Sequence, residues 1–109
     1  MSASASLSTH VLDTHRGRPA AALGVSLHRI EGARAVHIVD RRTDDTGRIA
    51  DLGKELAPGT YRLTFDVDGY FADTTGLFRS VSFDVALAPG HHHIPLLISP
   101  FACVSYRGA

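Results

Sequence analysis

Cysteine is almost missing from this sequence. The lone Cys103 cannot form an internal disulfide, so the fold must hold by packing, and a reducing compartment is its simplest home. Net charge is missing too: 11 basic side chains balance 11 acidic ones, scattered rather than blocked. Nothing here attracts a polyanion over long range, which excludes nucleic acid as an expected partner. A near-neutral surface also does little to resist self-association. No apolar run approaches the roughly 20 residues that span a bilayer. The opening MSASASLSTH is polar and uncharged, without the basic and apolar regions of a secretory signal. These absences predict a cytoplasmic protein with no membrane partner and a flexible N-terminal tail over residues 1–6. Linkers, repeats and low-complexity stretches are absent as well, so the chain of 109 residues is expected to form one domain, residues 7–109.

What is present is ordinary globular material, 44% hydrophobic and 20% charged, enough for one modest core. Turn signals recur at short intervals: RGRP, EGAR, DDTGR, APGT, VDGY and APGH. Between them lie runs that favour strand. TYRLTFDV places Tyr61, Leu63, Phe65 and Val67 on one face, and SVSFDVAL does the same for Val81, Phe83, Val85 and Leu87. That two-residue period marks strands with one buried side. VSLHRI and AVHIV flank the turn at Glu31–Arg34 as a hairpin, whereas SLSTHVLD and HHHIPLLIS are more continuous, as if covered on both faces. Short strands with turns about every 8 to 12 residues predict an all-β sandwich, with one short helix near YFADTTGLF.

Seven histidines are present, three of them consecutive at His91, His92 and His93 beside the apolar IPLLI. Most histidines in proteins are surface or structurally satisfied residues, and His28 and His37 in the hairpin are read that way. Alternation puts His91, His93, Pro95 and Leu97 on one face of their strand and His92, Ile94 and Leu96 on the other. In the last strand Ala102, Val104 and Tyr106 share a face. Proline cannot donate to a β-ladder, so the His93–Pro95 face is unusual. If that face met a second copy of the chain, its polar residues would line a cavity between subunits. A zinc site built from His91, His93 and His10 is one alternative, but no Cys-x-x-Cys or His-Glu-x-x-His spacing accompanies it. No Gly-x-Ser-x-Gly elbow is present, and Cys103 lies on a packed strand where it is expected to be inert. Arg48, just after DDTG, either caps a turn or offers a planar donor fork to an anionic or carbonyl-rich ligand.

Three stretches together resemble one family. LSTHVLDTHRGRPA (7–20), TDDTGR (43–48) and the ending HHHIPLLISPFACVSYRGA (91–109) are similar, in order and spacing, to the 5-hydroxyisourate hydrolases, the transthyretin-related enzymes of urate breakdown. The resemblance covers nearly the whole chain. It implies a transthyretin-like β-sandwich of two four-stranded sheets with one short helix. It further implies a homotetramer, a dimer of dimers, with active sites in the channel between dimers. Carried over position by position, the histidine of THVLD is His10, the arginine of TDDTGR is Arg48, the second histidine of H-x-H is His93 and the tyrosine of Y-R-G is Tyr106. These four are expected to bind the substrate.

The implied reaction hydrolyses a ring C–N bond of 5-hydroxyisourate, giving 2-oxo-4-hydroxy-4-carboxy-5-ureidoimidazoline, with no metal or organic cofactor. His10 and His93 would share water activation and proton transfer. Arg48 would hold the substrate and stabilise charge developing on its oxygen, and Tyr106 would pack against the planar heterocycle. The chain departs from the family's pattern in three places. Ala109 stands where the family ends in serine. SPFACVS replaces a more polar S-P-W-S-Y-S-T-like strand, with Val104 facing the same channel as Tyr106. His92 fills the middle position of H-x-H, commonly aromatic, and is expected to be structural. The competing expectation is a non-catalytic transthyretin-like carrier of an aromatic ligand, which would have no use for His10, Arg48 and His93.

Overall fold

The computed structural model describes residues 3–108. Nine strands and one turn of helix follow in order: β1 (Ala5–Asp13), β2 (Arg18–Pro19), β3 (Gly24–Glu31), β4 (Arg34–Arg42), β5 (Arg48–Leu56), β6 (Gly59–Phe65), α1 (Val67–Tyr70), β7 (Val81–Leu87), β8 (Gly90–Ser99) and β9 (Ala102–Ser105). One sheet is ordered β4-β3-β6-β7 and is antiparallel throughout. In the other, β1 pairs in parallel with β8, β8 pairs with β9, and the far edge of β1 is divided between β5 and the two-residue β2. Four full strands in each sheet match the expected sandwich, and β2 is a short addition at Leu12 and Asp13.

The facing sides of the two sheets make the core. Leu7, Val11, Leu96 and Ile98 from one sheet and Val25, Leu27, Tyr61, Leu63 and Phe65 from the other are all buried. Each large side chain so removed from water contributes about 1.5–3 kcal/mol relative to exposure. The alternation expected in β6 is the one observed, but Val67 leaves the strand and opens α1. The helix therefore lies one turn before the segment where it was expected. Asp66 sets it there, its carboxylate accepting from the Gly69 N–H at 3.0 Å as an N-cap. β1 begins at Ala5, inside the stretch expected as a tail, and Met1 and Ser2 lie outside the described residues.

Strand β5 has no counterpart among the sequence-based expectations. Its core residues Ile49, Leu52 and Leu56 are spaced by three and four, which is not a strand period. Pairing with β1 accounts for this. The register runs Thr9 to Ile49, Leu7 to Gly53 and Ala5 to Leu56, with a shift at each step. Extra residues are accommodated in bulges, so successive core-facing side chains still turn inward. Gly53 leaves room for this packing, since a Cβ there would sit 2.8 Å from the Leu56 side chain. Among the described residues no helix is long and apolar enough to cross a membrane.

Candidate active site

Two carboxylate-centred turns, one buried at Asp13 and one exposed at Asp44, fix the start of the site. Asp13, 1% exposed, accepts from the backbone N–H groups of His15 and Arg16 and from the Tyr70 hydroxyl at 2.8 Å. Burial alone would raise its pKa, but these bonds and the Arg16 guanidinium outweigh burial and lower it. The THVLDTHRG segment is thereby held at the end of β1. In TDDTGR, the Asp44 carboxylate accepts from the Thr46 hydroxyl at 2.7 Å, the Thr46 N–H and the Arg48 N–H. Led by the Thr46 hydroxyl, these donors lower the Asp44 pKa. Gly47 closes the turn with φ of 78° and presses against the Val11 carbonyl, so a side chain there would collide with backbone. The result is that Arg48 enters β5 directly beside His10.

Register then places the remaining groups. Arg48 is paired with His10 across β5 and β1, and His10 with Pro95 across β1 and β8. Side chains at paired positions share a face, so Arg48, His10 and Pro95 form one row on the side of the sheet away from the core. Ser8 and His93 form the next row, and Ser6 and His91 the one after. Pro95 and Ser8 are buried beneath this surface, while His10 and His93 are half-buried and Arg48 is exposed.

The proline shapes the C-terminal side. The β8–β9 ladder reaches Leu96 and Ser105, and one step further it would need a donor at Pro95. The ladder lapses there, and the chain returns only at Gly108, whose N–H donates to the His93 carbonyl at 2.8 Å. Tyr106, in the gap, is 55% exposed and shares a cleft of about 400 Å³ with His92, His93 and Phe83. Gly108 sits so close that a Cβ would stand 2.7 Å from the His93 ring. Glycine in Y-R-G is thus a steric requirement of the neighbouring imidazole.

The hydrogen bonds of the histidines define what each ring can do. His10 Nε2 lies 3.0 Å from the Thr46 carbonyl, which can only accept, so Nε2 carries the proton and the neutral ring keeps its lone pair on Nδ1. His93 Nδ1 meets the Ser8 hydroxyl at 2.8 Å, and its Nε2 makes no hydrogen bond to any described residue. The His93 pKa is lowered, first by burial and then by the positive fields of His10, His91 and Arg48. A neutral His93 with a free Nε2 is a proton acceptor. His92, on the opposite face, donates to the Ala88 carbonyl at 2.8 Å and serves the strand connection.

The structure therefore brings His10, Arg48 and His93 onto one sheet face, while Tyr106 lies beside His93 in a cleft whose lining includes neither His10 nor Arg48. In one protomer this is an open surface rather than an enclosed pocket. Ser8 was not among the expected site residues, and His91 entered only as a ligand in the zinc alternative. Both ring nitrogens of His91 meet hydroxyls, Nδ1 with Ser6 at 2.7 Å and Nε2 with Ser8 at 2.9 Å. The alternation Ser6, Ser8, His10 in the first strand held the signal, but only the parallel pairing to β8 gives it meaning. Among the described residues no three His, Cys, Asp or Glu side chains cluster as metal ligands, so the zinc alternative finds no geometric support.

Comparison with known proteins gives the family of the chain. The model of the HIUase/Transthyretin family matches residues 7–108. A 5-hydroxyisourate hydrolase of Deinococcus radiodurans is 38% identical over the full length of both chains. One from Caulobacter vibrioides is 37% identical, covering 94% of this chain and 97% of its own. The solved structure of Klebsiella pneumoniae 5-hydroxyisourate hydrolase superposes with a TM-score of 0.88 at 35% identity, over 96% of this chain and 99% of that one. Sea bream transthyretin in complex with thyroxine superposes at 0.87 with 25% identity, over 94% of each chain. On the family model's match and on the identity shared along its whole length, this chain is a member of the HIUase/Transthyretin family.

Proposed function

We propose that the protein is a 5-hydroxyisourate hydrolase, opening the six-membered ring at a C–N bond to give 2-oxo-4-hydroxy-4-carboxy-5-ureidoimidazoline. The observation that carries this is the convergence of Arg48, His10 and His93 on one sheet face in a chain alike, end to end, to proteins of that name. The free Nε2 of His93 takes a proton from water as its oxygen attacks the ring carbonyl. Arg48 holds the carbonyl oxygen and stabilises the negative charge that grows there. His10, whose Nε2 proton is committed to Thr46, orients the substrate and shares in proton transfer through Nδ1. Tyr106 packs against the flat ring from the cleft edge. No cofactor enters these steps.

The open face supports a homotetramer in which a second dimer closes the channel over each site, and the balanced net charge is compatible with such an assembly. The setting is cytoplasmic. Sea bream transthyretin bound to thyroxine shows that the same fold can serve as a carrier. Two imidazoles and a guanidinium lining the face of this chain favour hydrolysis over apolar ligand transport. Freshly generated 5-hydroxyisourate should decay far faster with the protein than in buffer, and light scattering should return a tetramer. Decay at the buffer rate would remove the hydrolase; a monomer would remove the channel.

A further inference from the structure

Four side chains on the outward face of β1 and β8 form an unbroken hydrogen-bonded line. His93 Nδ1 meets Ser8 Oγ at 2.8 Å, Ser8 Oγ meets His91 Nε2 at 2.9 Å, and His91 Nδ1 meets Ser6 Oγ at 2.7 Å. The line starts at a half-buried imidazole, passes a hydroxyl that is 8% exposed, and ends at an exposed imidazole and a half-exposed serine. It joins the candidate base to solvent along the same sheet face, running away from the row of His10 and Arg48.

Resting on the hydrolase assignment, we propose that Ser8, His91 and Ser6 form a proton relay that fixes the tautomer of His93 and carries its proton to solvent. A serine hydroxyl has one proton, and each neutral imidazole has one. The line can therefore run in only two directions when all rings are neutral. In one, His93 Nδ1–H donates to Ser8, Ser8 O–H donates to His91 Nε2, and His91 Nδ1–H donates to Ser6. His93 Nε2 is then a lone pair, ready to act as base. In the other direction every donor is reversed, and His93 carries its proton on Nε2, ready to act as acid.

Reversal balances the chemistry. When His93 Nε2 takes a proton from the attacking water, the Nδ1 proton passes to Ser8 as the Ser8 proton passes to His91 Nε2. The His91 Nδ1 proton passes to Ser6, whose own proton leaves to solvent. Each atom keeps its valence and one proton has crossed the line. Protonation of the leaving ring nitrogen by His93 Nε2–H runs the same sequence backwards, with a proton entering at Ser6. The imidazolium of His93 is never a resting species. That suits a ring facing His10 from β1, Arg48 from β5 and His91 on its own strand, all of which oppose a positive charge. Ser8 and His91 are positioning and relay residues rather than catalytic ones, since neither reaches the substrate row.

The test uses the full chain with three substitutions. Ser8→Ala removes the bridging hydroxyl, His91→Phe removes the surface imidazole at an exposed position, and Ser8→Thr keeps a hydroxyl. In the ¹⁵N spectrum the imidazole nitrogens of His93 should show a defined tautomer in the unaltered protein and a mixture in Ser8→Ala. The same variant should lose about 10- to 100-fold in kcat, with KM within about 2-fold. The acid limb of its rate profile should also move. His91→Phe should lose kcat in the same sense, and Ser8→Thr should recover most of what Ser8→Ala loses. Unchanged kcat in Ser8→Ala and His91→Phe, with unmoved His93 nitrogen resonances, overturns the relay and leaves the hydrolase standing. If the unaltered protein does not turn over 5-hydroxyisourate, the hydrolase fails. The nitrogen spectra then decide alone whether Ser8 sets the His93 tautomer.

Discussion

Histidines gather in two places, one on each sheet, and the two groups are built differently. On the β3–β4 hairpin His28 and His37 pack edge to face with ring centroids 5.3 Å apart, and His37 Nε2 pairs with the Asp40 carboxylate at 3.0 Å. The Ser26 hydroxyl and then His37 lower the pKa of Asp40. On the other sheet His10, His91 and His93 have no carboxylate among their hydrogen-bond partners in the described residues; they meet hydroxyls, a carbonyl and, nearby, a guanidinium. The lesson is that His37 spends its Nε2 on a surface carboxylate, whereas burial and nearby positive groups lower the His93 pKa and its one hydroxyl partner leaves Nε2 to spare. His93, with Nε2 free on the face that carries His10 and Arg48, is the imidazole placed for proton transfer.

The sharpest way to break this contrast is to remove one imidazole from each group. His93→Asn is expected to lower kcat/KM by about 10²–10⁴-fold, as loss of a general base does. His37→Asn should leave turnover within about 2-fold, since it stands on the other sheet. Equal losses in a decay assay would end the distinction. A smaller effect should come from Gly108→Ala, whose added carbon would meet the His93 ring. Displacing that ring should cost roughly 10- to 100-fold in kcat with little change in Tm, and full activity would show that the close approach is not needed.

Stability tests extend the comparison to two turns, the β3–β4 hairpin and the crossing from β4 in one sheet to β5 in the other. Gly47, with φ of 78°, faces the Val11 backbone, whereas Gly32, with φ of 63°, has open space around it. Gly32→Ala should destabilise by about 1–2 kcal/mol in denaturant melts for its left-handed backbone alone, and Gly47→Ala by more, since a backbone clash is added to the same strain. The smallest effect is on pH dependence. The pKa of His93 in the fold lies below its ordinary 6.5, with burial the leading cause. The unfolded chain therefore binds that proton more readily, and stability should fall as pH drops below 6.5 toward the folded pKa. His93→Asn should flatten this slope between neutral and mildly acidic pH. A slope identical to that of the unaltered protein would place its origin elsewhere.

Legibility in the sequence also divided along the two sheets. β6 and β7 are regular ladders in the antiparallel sheet, and their alternation gave Tyr61, Leu63, Phe65, Val81 and Leu87 as buried residues directly. β5 was missed because its bulges convert a two-residue period into intervals of three and four. The helix was displaced by a turn because a single capping carboxylate, Asp66, outweighed the turn signals downstream. Of the candidate site, His10, Arg48, His93 and Tyr106 were picked out through motifs; the register puts the first three on one sheet face, and alternation had already separated His93 from His92. The Ser8–His91 contact was not, since it depends on a parallel pairing between residues more than 80 positions apart, which no local spacing encodes.

That pairing has a consequence for how the protein comes into being. Ser8 and His93 lie 85 positions apart and touch only when β8 slots in beside β1. Closing so large a loop is slow compared with forming any hairpin, and its entropic cost precedes its reward. During synthesis the first strand must wait, with one long edge unpaired, until β8 has been made. Turnover is therefore a late-arriving property, acquired in the same step that covers an exposed edge of the nascent chain.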